Sequence, residues 1–148
     1  MNNLFEIKVC GINDKKSMNT ALKCKVNYIG FVFYPNSPRN ISINQSRELL
    51  QSRNKNTKIV ALTVDPNDDF LFEIKNEIKP DYIQLHGNEN PNRCRYIKKN
   101  LNIPIIKGIN VKNKLNLMQL TTDFEDICDI LLLDAPSEDL PGGNGKKF

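Results

Sequence analysis

The chain has 148 residues, 39% of them hydrophobic and 26% charged, with a net charge of +4. That is long enough for one domain with its own core, and a basic balance suits a phosphate-bearing small molecule or nucleic acid. No apolar run approaches the ~20 residues of a membrane span, and the amino end, "MNNLFEIKVC", lacks the basic-then-apolar pattern of a secretory signal, so a cytoplasmic protein with no membrane partner is expected.

The first apolar run is Phe5–Val9 ("FEIKV"), followed by Cys10 and Gly11 and then a helix expected to begin near Asp14. The second is Tyr28–Phe33 ("YIGFVF"). It leads through a loop with two prolines, "YPNSPRNIS", to a helix opened by Ser42 and Gln45 at capping-box spacing. Lys58–Val64 ("KIVALTV") is the third strand. Asn67 then caps a helix in which Phe70, Leu71, Ile74 and Ile78 form an apolar stripe. Tyr82–Leu85 ("YIQL") is the fourth strand, and Asn90 with Pro91 supplies a cap and first-turn proline for the next helix. Ile103–Ile106 ("IPII") is the fifth strand. A weaker amphipathic run over Leu115–Leu120 precedes the sixth, Ile127–Leu133 ("ICDILLL").

Near-continuous Val, Ile, Leu and Phe in several of these runs is the pattern of strands buried on both faces. Strand–helix alternation implies a parallel sheet with right-handed crossovers. The repeat of roughly 25 residues fits a (β/α)8 barrel, of which residues 1–148 hold six strands in a single incomplete domain. A flavodoxin-like open sheet, usually of five strands, is the alternative.

In a parallel barrel, chemistry sits at the carboxyl ends of the strands. Here those ends present Cys10, Arg39 in the loop after the second strand, Asp65, His86, Lys107 and Asp134. Cys10 follows its strand in "KVCGI", where amides at the start of the first helix are placed to stabilise a thiolate; position alone favours the other reading, a buried structural cysteine. Asp134 closes "LLLDA" as a candidate general acid or a turn residue. Arg39, in a loop stiffened by two prolines, is a candidate bidentate partner for a carboxylate. Gln84 and His86 share one face of the fourth strand. The four cysteines, Cys10, Cys24, Cys94 and Cys128, form no C-x-x-C pair, and there is one histidine. Neither a disulfide framework nor a metal site is expected. The lysines are scattered without interleaved aromatics, which reads as solvated faces rather than a nucleic-acid surface.

Four stretches, "KVCGI", "GFVFYPNSPRNIS", "DYIQLHGNE" and "LLLDA…PGGNGKKF", together resemble phosphoribosylanthranilate isomerase, in the family's order and at comparable spacings from residue 7 to the end. The resemblance implies a TIM barrel and a cofactor-independent, metal-free Amadori rearrangement of a phosphorylated small molecule in tryptophan biosynthesis. By it, Asp134 matches the general acid and Cys10 the base. Arg39 matches the arginine that holds the anthranilate carboxylate, and Gln84 and His86 line the pocket. The loop with Gly142, Gly143 and Gly145 matches a segment that folds over substrate. Indole-3-glycerol-phosphate synthase, a related barrel, fits less well, because its chemistry needs a lysine acid and a glutamate base where the first strand here offers cysteine. The family's seventh and eighth βα units have no counterpart in the 148 residues. The alternative expectation is thus an inactive fragment or subunit that binds a partner, chain or segment, completing the barrel.

Overall fold

The computed structural model describes residues 5–111 and 114–134. Strands and helices alternate strictly: β1 (Lys8–Cys10), α1 (Lys15–Lys23), β2 (Tyr28–Phe33), α2 (Ile43–Leu50), β3 (Lys58–Thr63), α3 (Asp68–Ile78), β4 (Tyr82–Leu85), α4 (Pro91–Leu101), β5 (Ile105–Asn110), α5 (Lys114–Phe124) and β6 (Ile130–Asp134). All six strands pair in parallel in sequence order, β1 to β6.

The caps expected from sequence form, and Asp14, near the expected start of α1, adds another. Asp14, Asn67 and Asn90 each accept a hydrogen bond from the amide three residues on, and Ser42 with Gln45 completes a capping box. Each removes an orphan amide that a helix start leaves. Four strands differ from the sequence reading, β3 only by ending at Thr63, one residue before Val64. β1 is shorter at its start, where Phe5 and Ile7 are exposed. β5 runs later, Ile105–Asn110, because Pro104 has no N–H to give the ladder. β6 begins at Ile130, because the amides of Ile127 and Cys128 both bond the Phe124 carbonyl and finish α5 instead.

One face of the sheet packs under the helices. Ile29, Phe31 and Phe33 of β2, Ile59 and Ala61 of β3, and Ile83 and Leu85 of β4 meet Leu71, Ile74 and Ile78 of α3 and Cys94, Ile97 and Leu101 of α4. A fully buried side chain of this kind contributes roughly 1.5–3 kcal/mol. The opposite face curls inward, so side chains from strands that are not neighbours touch. Tyr28 of β2 and Tyr82 of β4 meet edge to face at 5.8 Å, with the Lys58 ammonium over both rings.

The amino-terminal rim is tied by a repeated device. The polar residue just before each even-numbered strand accepts an amide within one residue of the start of its odd-numbered neighbour. Asn27 takes Ile7 N at 2.8 Å, Asp81 takes Ile59 N at 2.6 Å, and Asp129 takes Ile105 N at 2.8 Å. Arg53 and Lys98 then neutralise the two aspartates. All four cysteines are free thiols, and no helix among the described residues is long and apolar enough to cross a membrane.

Candidate active site

Alternation along β1 puts Lys8 and Cys10 on the inner face and Val9 toward the helices. Cys10 is half-buried, and its thiol occupies space that β2 leaves by having Gly30: a Cβ there would lie 2.7 Å from Cys10 Sγ. The chain then turns at Gly11, whose φ of +86° suits glycine. The sequence reading placed helix-start amides at this thiol. The structure uses them otherwise. Gly11 N and Ile12 N both donate to Gly30 O, and Ser17 N donates to Asp14.

Arg39 reaches the same place from the β2–α2 loop. Asn40 accepts the amide of Tyr34 and the Ile41 amide donates to Val32 O, which folds this loop back on its strand. The aliphatic stem of Arg39 lies over Gly11, where a Cβ would sit 2.5 Å from Arg39 Cδ, and Nη1 donates to Cys10 O at 3.5 Å. The guanidinium is exposed at the mouth of the site, next to Cys10.

Gln84 on β4 and His86, one residue past its end, face inward and are both buried, at 1% and 8% exposure. Gln84 Nε2 meets His86 Nδ1 at 2.9 Å, and His86 Nε2 meets Asp134 Oδ2 at 3.2 Å. Lys8 Nζ, crossing from β1, donates to Gln84 Oε1. Gly108 of β5 admits the imidazole, since a Cβ there would come within 2.5 Å of Nδ1. Burial holds the His86 pKa below the usual histidine value, outweighing the opposing pull of the Asp134 carboxylate. The ring is accordingly neutral at neutral pH.

Two residues read from sequence as strand-end groups do other work. Lys107 is not at a strand end; it lies within β5 and points to the helix side, with its ammonium over the Phe124 ring. It donates to Gly87 O and to Glu89 Oε2, both at 2.8 Å, in an ion pair with side chains only 4% and 2% exposed. Asp65, at φ +46°, accepts the Asn88 amide, and its own amide donates to Glu89 Oε1. Glu89, Lys107 and Asp65 therefore lash the loops after β3 and β4 beside His86. A cavity of about 340 Å³ adjoins them, lined by Asn88, Glu89, Lys107, Asn110 and Phe124 among others.

The sequence reading missed Lys8, Glu89 and the two site glycines; Lys8 alone left a signal, standing two residues before Cys10 on the same strand face. Gly142, Gly143 and Gly145 lie outside the described residues.

A family model for N-(5'-phosphoribosyl)anthranilate (PRA) isomerase matches residues 7–148. The chain belongs to the phosphoribosylanthranilate isomerase family. It is 38% identical over 146 residues to N-(5'-phosphoribosyl)anthranilate isomerase of Sinorhizobium medicae and 35% identical to that of Agrobacterium fabrum, covering 97% of this chain and 67% and 66% of theirs. The chain thus spans about two thirds of the length of the curated relatives it matches. Among solved structures, phosphoribosylanthranilate isomerase from Thermotoga maritima superposes with a TM-score of 0.85 at 27% identity, covering 98% of this chain and 68% of that one. A phosphoribosylanthranilate isomerase in complex with reduced 1-(o-carboxyphenylamino)-1-deoxyribulose 5-phosphate gives a TM-score of 0.80 at 25% identity, over 90% of this chain and 66% of that one. The six parallel strands are therefore those of a phosphoribosylanthranilate isomerase barrel of the TIM type.

Proposed function

We propose that this chain carries the acid–base half of an N-(5'-phosphoribosyl)anthranilate isomerase, acting in tryptophan biosynthesis in the cytoplasm. The observation that carries the reading is geometric. Cys10 and Asp134, at the ends of β1 and β6, stand on the same inner face at the same end of the sheet, with Arg39 at Cys10 and His86 on Asp134. Asp134 gives a proton to the furanose ring oxygen; the C1′–O bond breaks and the anthranilate nitrogen becomes an iminium. The Cys10 thiolate takes the C2′ proton, and the electron pair released neutralises the iminium as the enol of the amino-ketose. One proton enters and one leaves, so the reaction is an isomerisation and needs no redox partner. Arg39 pairs with the anthranilate carboxylate.

The test is turnover of the substrate with Cys10→Ala and Asp134→Ala. General acid–base groups contribute ~10²–10⁴-fold, so each change is expected to lower kcat by at least about that factor with KM largely kept. Near-normal turnover in Cys10→Ala rules out its role as base.

A second reading has its own observation. The β1 and β6 edges leave Ile7, Ile130 and Leu133 exposed at 58%, 36% and 40%, beside a groove of about 240 Å³ lined by Lys8, Tyr28, Ile106 and Leu132. Further strands would cover both edges, as barrels need to. On this reading residues 1–148 alone bind no substrate productively, and activity appears when a segment carrying two more βα units is supplied, fused or separate. Turnover by the 148 residues unaided rules it out.

A further inference from the structure

The inner face holds one continuous line of polar contacts joining three strands: Lys8 on β1, Gln84 on β4 with His86 just beyond it, and Asp134 on β6, with Gly108 of β5 making room for the ring. Its direction is fixed by chemistry. An ammonium has three donors and no acceptor, so the Gln84 oxygen must face Lys8. The Gln84 amide nitrogen must then face His86, and it can only donate. Nδ1 of His86 is accordingly the acceptor, and the ring proton sits on Nε2, aimed at Asp134 Oδ2.

With Asp134 ionised, the carboxylate would enforce the same tautomer by itself. The two ends separate once Asp134 carries a proton. A flipped Gln84 would then allow the opposite arrangement, in which Nδ1 donates to Gln84 and a bare Nε2 takes the proton from Asp134. Lys8 forbids that flip. We propose that Lys8 is a positioning residue that pins the Gln84 carboxamide, holds His86 as its Nε2–H tautomer, and so keeps the acid's proton on Asp134. His86 Nε2 is the partner of Asp134 Oδ2. Of the charged groups whose fields reach the ring, Asp134 and Lys8 belong to this line, while Lys107, paired with Glu89 on the helix side, only disfavours a charged ring.

His86 is the only histidine in the chain, so nitrogen-15 NMR of histidine-labelled protein reads its tautomer without ambiguity and without activity. Asp134→Asn mimics the protonated acid. In that background His86 is expected to hold its proton on Nε2. Adding Lys8→Gln, which can donate or accept, is expected to spread the proton over both nitrogens, and Lys8→Met does the same should the glutamine variant not fold. Lys8→Arg, which only donates, is expected to restore Nε2–H. An Nδ1–H ring in Asp134→Asn, or an unchanged tautomer with Lys8→Gln or Lys8→Met, overturns the proposal. The kinetic arm rests on the isomerase reading above. There Lys8→Gln lowers kcat about tenfold or more at unchanged KM, and Lys8→Arg recovers most of it. Unchanged tautomers sink the role of Lys8 alone. Tautomers that respond as stated, with turnover untouched by Asp134→Asn, sink instead the assignment of Asp134 as the acid.

Discussion

The imidazole of His86 rests directly against Gly108, at a point where any Cβ would lie 2.5 Å from Nδ1 and 2.9 Å from Cε1. The ring cannot give way freely, because Gln84 holds one nitrogen and Asp134 the other. Gly108→Ala is therefore expected to push His86 off Asp134. Overpacking of this kind costs typically 1–3 kcal/mol, read as a lower Tm, and turnover should fall with it. Gly30→Ala is the parallel case and is expected to be worse, because its Cβ meets Cys10 Cα at 3.2 Å as well as the thiol at 2.7 Å, and backbone cannot rotate away. If both variants keep wild-type Tm and kcat, the close packing of the inner face is refuted.

Arg39 is exposed, yet its stem is seated on Gly11 and its fork stands at Cys10 O. A carboxylate bound there would take both arms of the guanidinium. Losing a hydrogen bond to a charged group costs about 1.5–3 kcal/mol, so Arg39→Ala should raise KM roughly 10–100-fold. Arg39→Lys should recover only part, since an ammonium cannot reproduce the fork. An unchanged KM in both variants excludes the contact.

Much of this arrangement is legible in the sequence, and the misreadings have physical causes. Strands buried on both faces announce themselves as continuous apolar runs, and Ser42, Asn67 and Asn90 mark helix starts by their side-chain chemistry. The same two-sided burial hides which face is which. Lys107 therefore read as a strand-end site group although it points to the helices, where Glu89 meets it. Ile127 and Cys128 read as strand because they are apolar; their amides close α5. Gly30 and Gly108 were silent because a glycine's use here lies in a neighbouring strand's side chain, and only the strand register shows which one.

The lowered pKa of His86 carries a stability signature. Burial, the leading cause, keeps the folded ring neutral below pH 6.5, while the unfolded chain takes up a proton there. The unfolded state thus binds more protons, and stability falls as pH drops from about 6.5 toward the lowered folded value, levelling below it. Equilibrium denaturation between about pH 7 and 5, above the range where carboxylates dominate, should show this slope. His86→Asn should flatten it. A wild-type chain whose stability is constant over that window contradicts the burial of a neutral ring.

The side chains of Glu89 and Lys107 are almost wholly enclosed. Glu89 accepts from Asp65 N at 2.8 Å, Gly87 N at 2.9 Å and Lys107 Nζ at 2.8 Å; Lys107 also donates to Gly87 O at 2.8 Å. Each charge is thus paired and its remaining capacity spent on backbone, which is the condition under which a buried ion pair is tolerated. Removing one partner leaves the other charged and enclosed, a loss of about 3–5 kcal/mol. Lys107→Met and Glu89→Leu should each destabilise by that order in denaturant unfolding. The double variant should cost clearly less than the sum, because residues in one network couple. It should not return to wild type, since the amides of Asp65 and Gly87 lose their acceptor whichever residue fills position 107. Amide exchange separates the two effects. Exchange at Asp65 and Gly87 should quicken in Glu89→Leu and in the double variant, and less in Lys107→Met, where the carboxylate still accepts both. Single variants costing under about 1 kcal/mol, or additive costs in the double, would show that the pair does not hold the loops beside His86.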